Sequence, residues 1–388
     1  MDTELSYPNY LWQQDGWPAL HCDPIEVGNV LATARRAQGA VEGKLAALGF
    51  DQKLELEAEA WIQEAVATAA IEGEQLDLAA VRSSVARRLG FGHQDGANAP
   101  RSVEGLLDIM DDAVIHSTEP VTHERLHAWQ AALFPTGYAG MTKIRAGRYR
   151  VHEEPMQIVS GRSGRVQVHY EAPASARVPF EMERLLHWFN AGTEPDILVR
   201  AAVTHLWFET IHPFEDGNGC VGRIWVDLAL ARDSGEASRL IRMSQRFVEC
   251  RSEYYDQLKD AQLGALDVTR WVVWFVQQIQ AACEEASRVI DEKLAKTRFW
   301  MTHSDKSLNE RQRKVLNLLL DAGPEGFEGG MSTKKYESIA KTSRATASRE
   351  LIQLEALGLL AQLGAGRSTR YRVKLPLTGG QLLLAASR

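Results

Sequence analysis

The sequence predicts a mainly α protein with one β-hairpin and a C-terminal helix–turn–helix followed by two short strands. Three observations predict it. Apolar residues recur at three- and four-residue spacing through most of the chain. Strand-like runs around a turn-rich centre, "MQIVSGRSGRVQVHY", mark only residues 147–171 as a hairpin. The C-terminal stretch "TKKYESIAKTSRATASRELIQLEALGLL" reads as helix, short turn, helix, and "AQLGAGRSTRYRV" as a two-stranded wing.

The elements follow in order. Residues 24–48 have helical spacing, with Asp23 as N-cap and Pro24 in the first turn. A second helix runs through "KLELEAEAWIQEAVATAAIEG" and stops at Gly73. "EGLLDIMDDAVI" and "THERLHAWQAALF" are helical, and the hairpin comes next. Helices resume with "PFEMERLLHWFN", "ILVRAAVTHLWFETI" and the stretch from Arg246 to about Lys296; "NERQRKVLNLLL" opens the last region near Ser307.

Composition narrows the class. Apolar and charged fractions of 45% and 24% suit a soluble globular protein, and 388 residues suffice for two or three domains. A net charge of -7 argues against a nucleic-acid coat, leaving room for a local basic face. The four cysteines, Cys22, Cys220, Cys250 and Cys283, lack C-x-x-C spacing, as expected of a reducing compartment. Without a signal-like start or a bilayer-length apolar run, a cytoplasmic protein with no membrane partner is expected.

The densest chemistry lies in "ETIHPFEDGNGCVGR", residues 209–223. Pro213 disfavours the right-handed helical region at His212, so the preceding helix should break there. Phe214 is an apolar anchor for the loop. Gly217, Asn218 and Gly219 then lead into "CVGRIWVDLAL", a buried helix. Glycines at a helix start let backbone amides approach an anion, which the helix dipole favours. Asp216 at the edge of this phosphate cradle suits a hard divalent cation. Arg223, on the following helix, faces the same anion with a fixed charge. A neutral His212 imidazole can accept a hydroxyl proton near pH 7. Together these groups suit hydroxyl attack on a magnesium-bound nucleotide phosphate. A lesser alternative takes His205, Glu209 and His212, on one helix face, as metal ligands.

"HPFEDGNGCVGR" resembles the signature of the Fic family, H-x-F-x-[D/E]-G-N-G-R-x-x-R, at every defined position except one. The resemblance implies a protein adenylyltransferase that moves AMP from ATP, with Mg²⁺, to a Ser, Thr or Tyr hydroxyl of a protein target. It implies His212 as base, Asp216 as magnesium ligand, Gly217, Asn218 and Gly219 as cradle, and Arg223 as phosphate clamp. Cys220, Val221 and Gly222 complete the expected nucleotide-binding run. The hairpin is similar to the family's flap, with Val159, Ser160, Gly161 and Arg162 over the nucleotide and the target held by strand addition. "YYDQLKDAQ" resembles the adenine-pocket stretch, suggesting Tyr254, Tyr255 and Gln262; core packing is the competing reading for either tyrosine.

In "ATAAIEGE", Thr68 and Glu72 share a helix face. A carboxylate at a helix C-terminus meets the wrong end of the dipole, at a cost of up to about 1 kcal/mol. Thr68, Glu72 and Gly73 resemble the family's inhibitory motif [S/T]-x-x-x-E-[G/N], which implies that Glu72 pairs with Arg223 and blocks ATP. With "RRAQGAVEGKLAALGF" and the C-terminal wing, the likeness covers nearly the whole chain. It gives an N-terminal helical region with the inhibitory helix (1–100), a Fic core (101–300) and a winged helix-turn-helix (301–388), with a homodimer possible by the same likeness.

Cys220 stands where the family has its first arginine. Losing that group removes a charge-assisted contact of about 1.5–3 kcal/mol. A thiol at a helix start also raises a redox or nucleophilic role against that of a small buried residue. The competing functions are a deAMPylase on the same site and a DNA-binding regulator with a degenerate core. For DNA speak Lys341, Arg344, Arg349, Arg367, Arg370 and Arg372; Glu350 and Glu355 dilute that charge.

Overall fold

The computed structural model describes residues 10–91, 99–162, 165–192, 196–322, 327, 329–364, 366 and 369–374; the side chains of 159–162 and 165–167 lie outside the described set. The chain divides into two compact units, residues 1–287 and 288–388.

In the first unit, Asp23 caps α1 (Pro24–Ala46) by accepting the amides of Ile25 and Glu26. Helix α2 (Phe50–Ile71) closes at Glu72, and Gly73 takes the left-handed turn at φ 81° that a side chain would resist. Three more helices follow, α3 (Leu78–Arg88), α4 (Arg101–Ile115) and α5 (His123–Leu133), the last capped by Thr122. Strands β1 (Tyr138–Ala139) and β2 (Thr142–Lys143) form a small antiparallel pair, too short to leave an alternation in the sequence.

The expected hairpin is β3 (Gln157–Arg162) against β4 (Arg165–Glu171), antiparallel, with an irregularity between Ile158 and Val159. The strands extend further into "SGRSGR" than the turn signals suggest, since Ser160 pairs with Gln167 and Arg162 with Arg165. The base of the hairpin is tied down. The Tyr170 hydroxyl donates to the Thr210 carbonyl (2.6 Å), and Trp12 Nε1 donates to the Glu171 carbonyl (2.9 Å).

Helix α6 (Val178–Ala191) precedes α7 (Ile197–Ile211) and α8 (Asn218–Ser234). In α7 every residue but Arg200 is buried, so it forms the middle of the unit rather than a face of it. The helical stretch after Arg246 resolves into α9 (Met243–Glu249), α10 (Arg251–Gln262) and α11 (Thr269–Thr302). Glu64 of α2 accepts the amides of Ser244 (2.6 Å) and Gln245 (3.2 Å), capping the start of α9.

The second unit carries α12 (Glu310–Asp321), α13 (Thr333–Ala340) and α14 (Arg344–Ala356), then β5 (Leu360–Leu363) paired antiparallel with β6 (Arg370–Val373). Val315, Leu319, Tyr336, Leu351 and Leu354 form its core. Glu350, expected as a surface charge, is buried there. It accepts from Tyr336 Oη (2.7 Å), Asn309 Nδ2 (2.9 Å) and Arg311 Nη2 (2.5 Å). Among the described residues, no helix is long and apolar enough to cross a membrane.

Candidate active site

Helix α7 breaks at His212, the residue before proline, by turning left-handed (φ 49°, ψ 62°). A non-glycine residue holds that conformation only where its surroundings fix it. Here the fixing group is Arg150, which is 1% exposed. Its Nε donates to the His212 carbonyl (2.8 Å) and its Nη2 to the carbonyls of Ile211 (3.2 Å) and Pro173 (2.5 Å). Its Nη1 donates to Ser175 Oγ (2.8 Å), and its backbone amide to the Pro213 carbonyl (2.9 Å). Burial pulls the guanidinium down to about 10, which still leaves it charged at neutral pH.

The loop after His212 is closed by Asn218. Its Oδ1 accepts the Phe214 amide (2.8 Å) while its Nδ2 donates to the Phe214 carbonyl (2.9 Å). Asn218 is thus a buried staple for the loop, a role its place in the expected cradle did not suggest. Gly217 sits at φ 83°, where a Cβ would lie 2.7 Å from Phe134 Cε2. Exposed Asp216 accepts the Gly217 amide through Oδ1 (2.7 Å), and its carbonyl accepts from Gln130 Nε2 (3.2 Å).

The first turn of α8 leaves amides without intrahelical partners. Glu72 lies against that turn, since a Cβ on Gly219 would overlap its Oε1. The carboxylate that ends α2 therefore stands at the favourable, amino-terminal end of α8. Arg223, 1% exposed, donates from Nη2 to Glu72 Oε1 (2.8 Å) and to the Thr68 carbonyl (3.1 Å), and from Nε to Thr68 Oγ1 (2.9 Å). Burial lowers the Arg223 guanidinium, but Glu72 outweighs it and the net direction is upward.

Cys220 is buried, with Thr68 Oγ1 4.0 Å from its sulfur, and burial pushes its thiol up to about 12. It is a protonated filler at neutral pH rather than a nucleophile. The rest of the expected nucleotide-binding run turns inward. Val221 is fully buried and its amide is engaged by the Gly217 carbonyl (3.0 Å), so the free amides stop at Cys220. Gly222 faces α7, where a Cβ would stand 2.8 Å from Glu209 Oε1 and 3.2 Å from Phe208 Cδ1.

Helix α10 divides the expected adenine-pocket residues. Tyr254 is a core residue: 2% exposed, stacked on Phe247 at 4.5 Å, with its hydroxyl 2.8 Å from His205 Nε2. Tyr255 is 44% exposed and lies near Glu72, with Arg251 5.8 Å from its ring centroid. Burial and then Glu72 push the Tyr255 phenol up. Arg251 also donates to the Ile71 carbonyl (2.7 Å), holding the end of α2. Gln262 is buried, and its Nε2 has no hydrogen-bond partner. For Val159, Ser160, Gly161 and Arg162 the strand backbone is described and their side chains lie outside the described residues.

Two clusters result. Thr68, Glu72, Gly219, Cys220 and Arg223 meet between α2 and α8; His205, Glu209, His212, Gly222 and Tyr254 meet around α7. Among the described residues no three His, Cys, Asp or Glu side chains converge as metal ligands, and His205 is turned to Tyr254 instead. Arg150 and Arg251 went unnoticed in the sequence, where no local pattern marks them. Glu209, three residues before His212, did carry a signal through its spacing.

Comparison with known proteins gives the frame. Residues 120–230 match the Fic/DOC family, and residues 10–91 match a domain of unknown function, DUF4172. A probable protein adenylyltransferase of Aquifex aeolicus is 30% identical over 99 residues, 26% of this chain and 28% of that protein. The protein adenylyltransferase Fic of Nematostella vectensis is 27% identical over 250 residues, 62% of this chain and 51% of that protein. The matches thus span about a quarter to a half of these relatives' lengths. The crystal structure of a Fic family protein from Desulfovibrio desulfuricans aligns with a TM-score of 0.54 at 22% identity, over 92% of this chain and 98% of that one. The fold is therefore the mainly helical Fic-like one, with small β-hairpins.

Proposed function

We propose that this chain, a Fic-domain protein related to known Fic adenylyltransferases, moves AMP from ATP to a Ser, Thr or Tyr hydroxyl of a protein target or of itself, and that Glu72 restrains it. The observation that carries the reading is the meeting of Glu72, Thr68 and Arg223 at the amino-terminal end of α8, one loop from His212. An anion site already filled by the chain's own carboxylate is the arrangement an internal brake requires.

In this reading His212 takes the proton of the attacking hydroxyl. The hydroxyl oxygen bonds to the α-phosphorus, the bond to the β-phosphate bridging oxygen breaks, and pyrophosphate leaves. Arg150 fixes the backbone that carries the imidazole, and Asn218 fixes the loop that leads to the free amides of Gly219 and Cys220. Arg223 holds the terminal phosphates once Glu72 moves aside. Asp216 suits a magnesium ion: it is exposed, and one carboxylate oxygen is free of the Gly217 amide. Since no three His, Cys, Asp or Glu side chains among the described residues form a metal cage, phosphates and water would supply most of the coordination, as is usual for Mg²⁺, which neutralises phosphate charge. Tyr255, half-exposed beside Glu72, is the better candidate for contact with the nucleotide than the core residue Tyr254.

The test is the intact mass of Glu72→Gly protein after incubation with ATP and Mg²⁺, beside Glu72→Gly/His212→Ala. A gain of one AMP that needs His212 is expected. No His212-dependent gain on the chain itself or on proteins of a host lysate, with Cys220→Arg also failing to restore one, overturns the reading.

We read the second unit as a winged helix-turn-helix serving protein contact or dimerisation. One observation favours DNA as a second reading. With Glu350 buried, Arg344 and Arg349 are the exposed charges of α14 and Glu355 is its one partly exposed acid. A salt-dependent mobility shift with duplex DNA would favour it, and its absence would leave protein contact.

A further inference from the structure

An imidazole has two ring nitrogens, and only an unprotonated one can receive the proton of an attacking hydroxyl. In His212, Nδ1 is buried without a full hydrogen bond and lies 3.5 Å from Oε2 of Glu209, one turn earlier on α7. The 15% of the side chain that is exposed lies away from that nitrogen. We propose that Glu209 is the positioning residue of this site: its carboxylate receives the Nδ1–H of His212 and so leaves Nε2 as the proton acceptor. The inference rests on the reading of His212 as the base.

Three features of the surroundings support it. Glu209 is 4% exposed, and its Oε1 has no partner, so a buried carboxylate is kept here with only part of its bonding capacity used. Room for it is provided by Gly222, where any side chain would press on Oε1. His205, on the same face one turn further back, points Nε2 at Tyr254 (2.8 Å), which leaves His212 as the imidazole that Oε2 meets. Burial pushes the Glu209 carboxyl up, but His212 at hydrogen-bonding range and the Arg223 charge oppose it, and the net direction is downward. At 3.5 Å the pair is at the edge of hydrogen-bonding range; such contacts tighten when substrate binds.

The step balances within the proposed transfer. The hydroxyl proton goes to Nε2 as the oxygen bonds to phosphorus, the ring becomes an imidazolium, and its Nδ1–H stays directed at the Glu209 carboxylate, which opposes the new charge. Pyrophosphate carries off the electron pair of the broken bond.

Long-range proton–nitrogen correlation spectra of the histidine rings in the full chain test this without nucleotide, with His212→Ala supplying the assignment. The native protein is expected to hold His212 as the Nδ1–H tautomer. Glu209→Gln keeps that tautomer through its amide oxygen, and the near-isosteric Glu209→Met shifts it towards Nε2–H. In the Glu72→Gly background, Glu209→Met is expected to lower kcat about 10²-fold with little change in KM for ATP, and Glu209→Gln to recover part of the loss. A native His212 protonated on Nε2 overturns the inference, even if Glu209→Met fails to fold. So does an unchanged tautomer in folded Glu209→Met. Because the tautomer is read without ATP, a protein that transfers no AMP sinks the transferase reading and leaves the role of Glu209 to be decided by the spectrum.

Discussion

Arg223 donates three hydrogen bonds, all to α2, while His212 Nδ1, Glu209 Oε1 and His205 Nδ1 are buried with none. Both clusters draw on α8, one through Gly219 and Arg223 and the other through Gly222, yet one is saturated and the other is not. A saturated buried network rigidifies its surroundings and specifies one arrangement. An unsaturated one costs stability and is usually kept where the chemistry needs free valences. The Glu72–Arg223 side is thus fixed by folding, and the His212 side keeps polar atoms free, as the proposed transfer requires.

The contrast breaks most severely if His212 proves dispensable. In the Glu72→Gly background, His212→Ala is expected to lower AMP transfer by about 10²- to 10⁴-fold, measured with labelled ATP. A loss below tenfold would mean that the unsaturated cluster is not the base.

The next effect is on stability. Burial holds His205 down to about 4, far below its unfolded value. Between those values the unfolded chain binds the extra proton, so stability is full above about pH 6.5 and falls as pH drops towards 4. The contribution is about 3 kcal/mol. Urea unfolding at neutral and acid pH should show a smaller acid loss in His205→Gln than in the native chain, and an equal loss would contradict a neutral buried His205.

Glu72→Gly sharpens the comparison from the other side. Removing one charge-assisted hydrogen bond of about 1.5–3 kcal/mol predicts a rise in transfer of roughly 10- to 100-fold, read as initial rate. An unchanged or lower rate would make the saturated cluster a structural contact and nothing more. Least of all should happen at Cys220. Iodoacetamide at mildly alkaline pH is expected to leave it unmodified in the folded protein, and labelling of the native chain there would show that this part of α8 opens.

Legibility in the sequence followed locality. The ends of α1 and α2 were readable because Asp23, Pro24 and Gly73 act on their own neighbours. The break at His212 was readable from Pro213, although its left-handed form was not, because that form depends on Arg150 from a distant segment. Glu72 posed its question in the sequence as a carboxylate at the wrong end of its own helix. Its answer, the start of α8, exists only after folding. Tyr254 and Tyr255 are adjacent in sequence yet differ in place, since helical geometry turns one into the aromatic core and the other outward. Glu350 misled for a similar reason: nothing nearby shows that Tyr336, Asn309 and Arg311 enclose it.

The capping of α9 by Glu64 limits how the proposed restraint would be lifted. Detaching α2 would strip α9 of both acceptors, separate the Ile71 carbonyl from Arg251, and leave Arg223 without its three bonds. A change of rotamer at Glu72, whose side chain is 41% exposed, breaks one. The first is a local unfolding event on the microsecond-to-second scale, and the second is a side-chain flip on the picosecond-to-nanosecond scale. If Glu72 restrains the site as proposed, a competitor for Arg223 needs only to outlast that flip, and the restraint would be a matter of occupancy, graded by the competitor's concentration, with the helix itself staying in place.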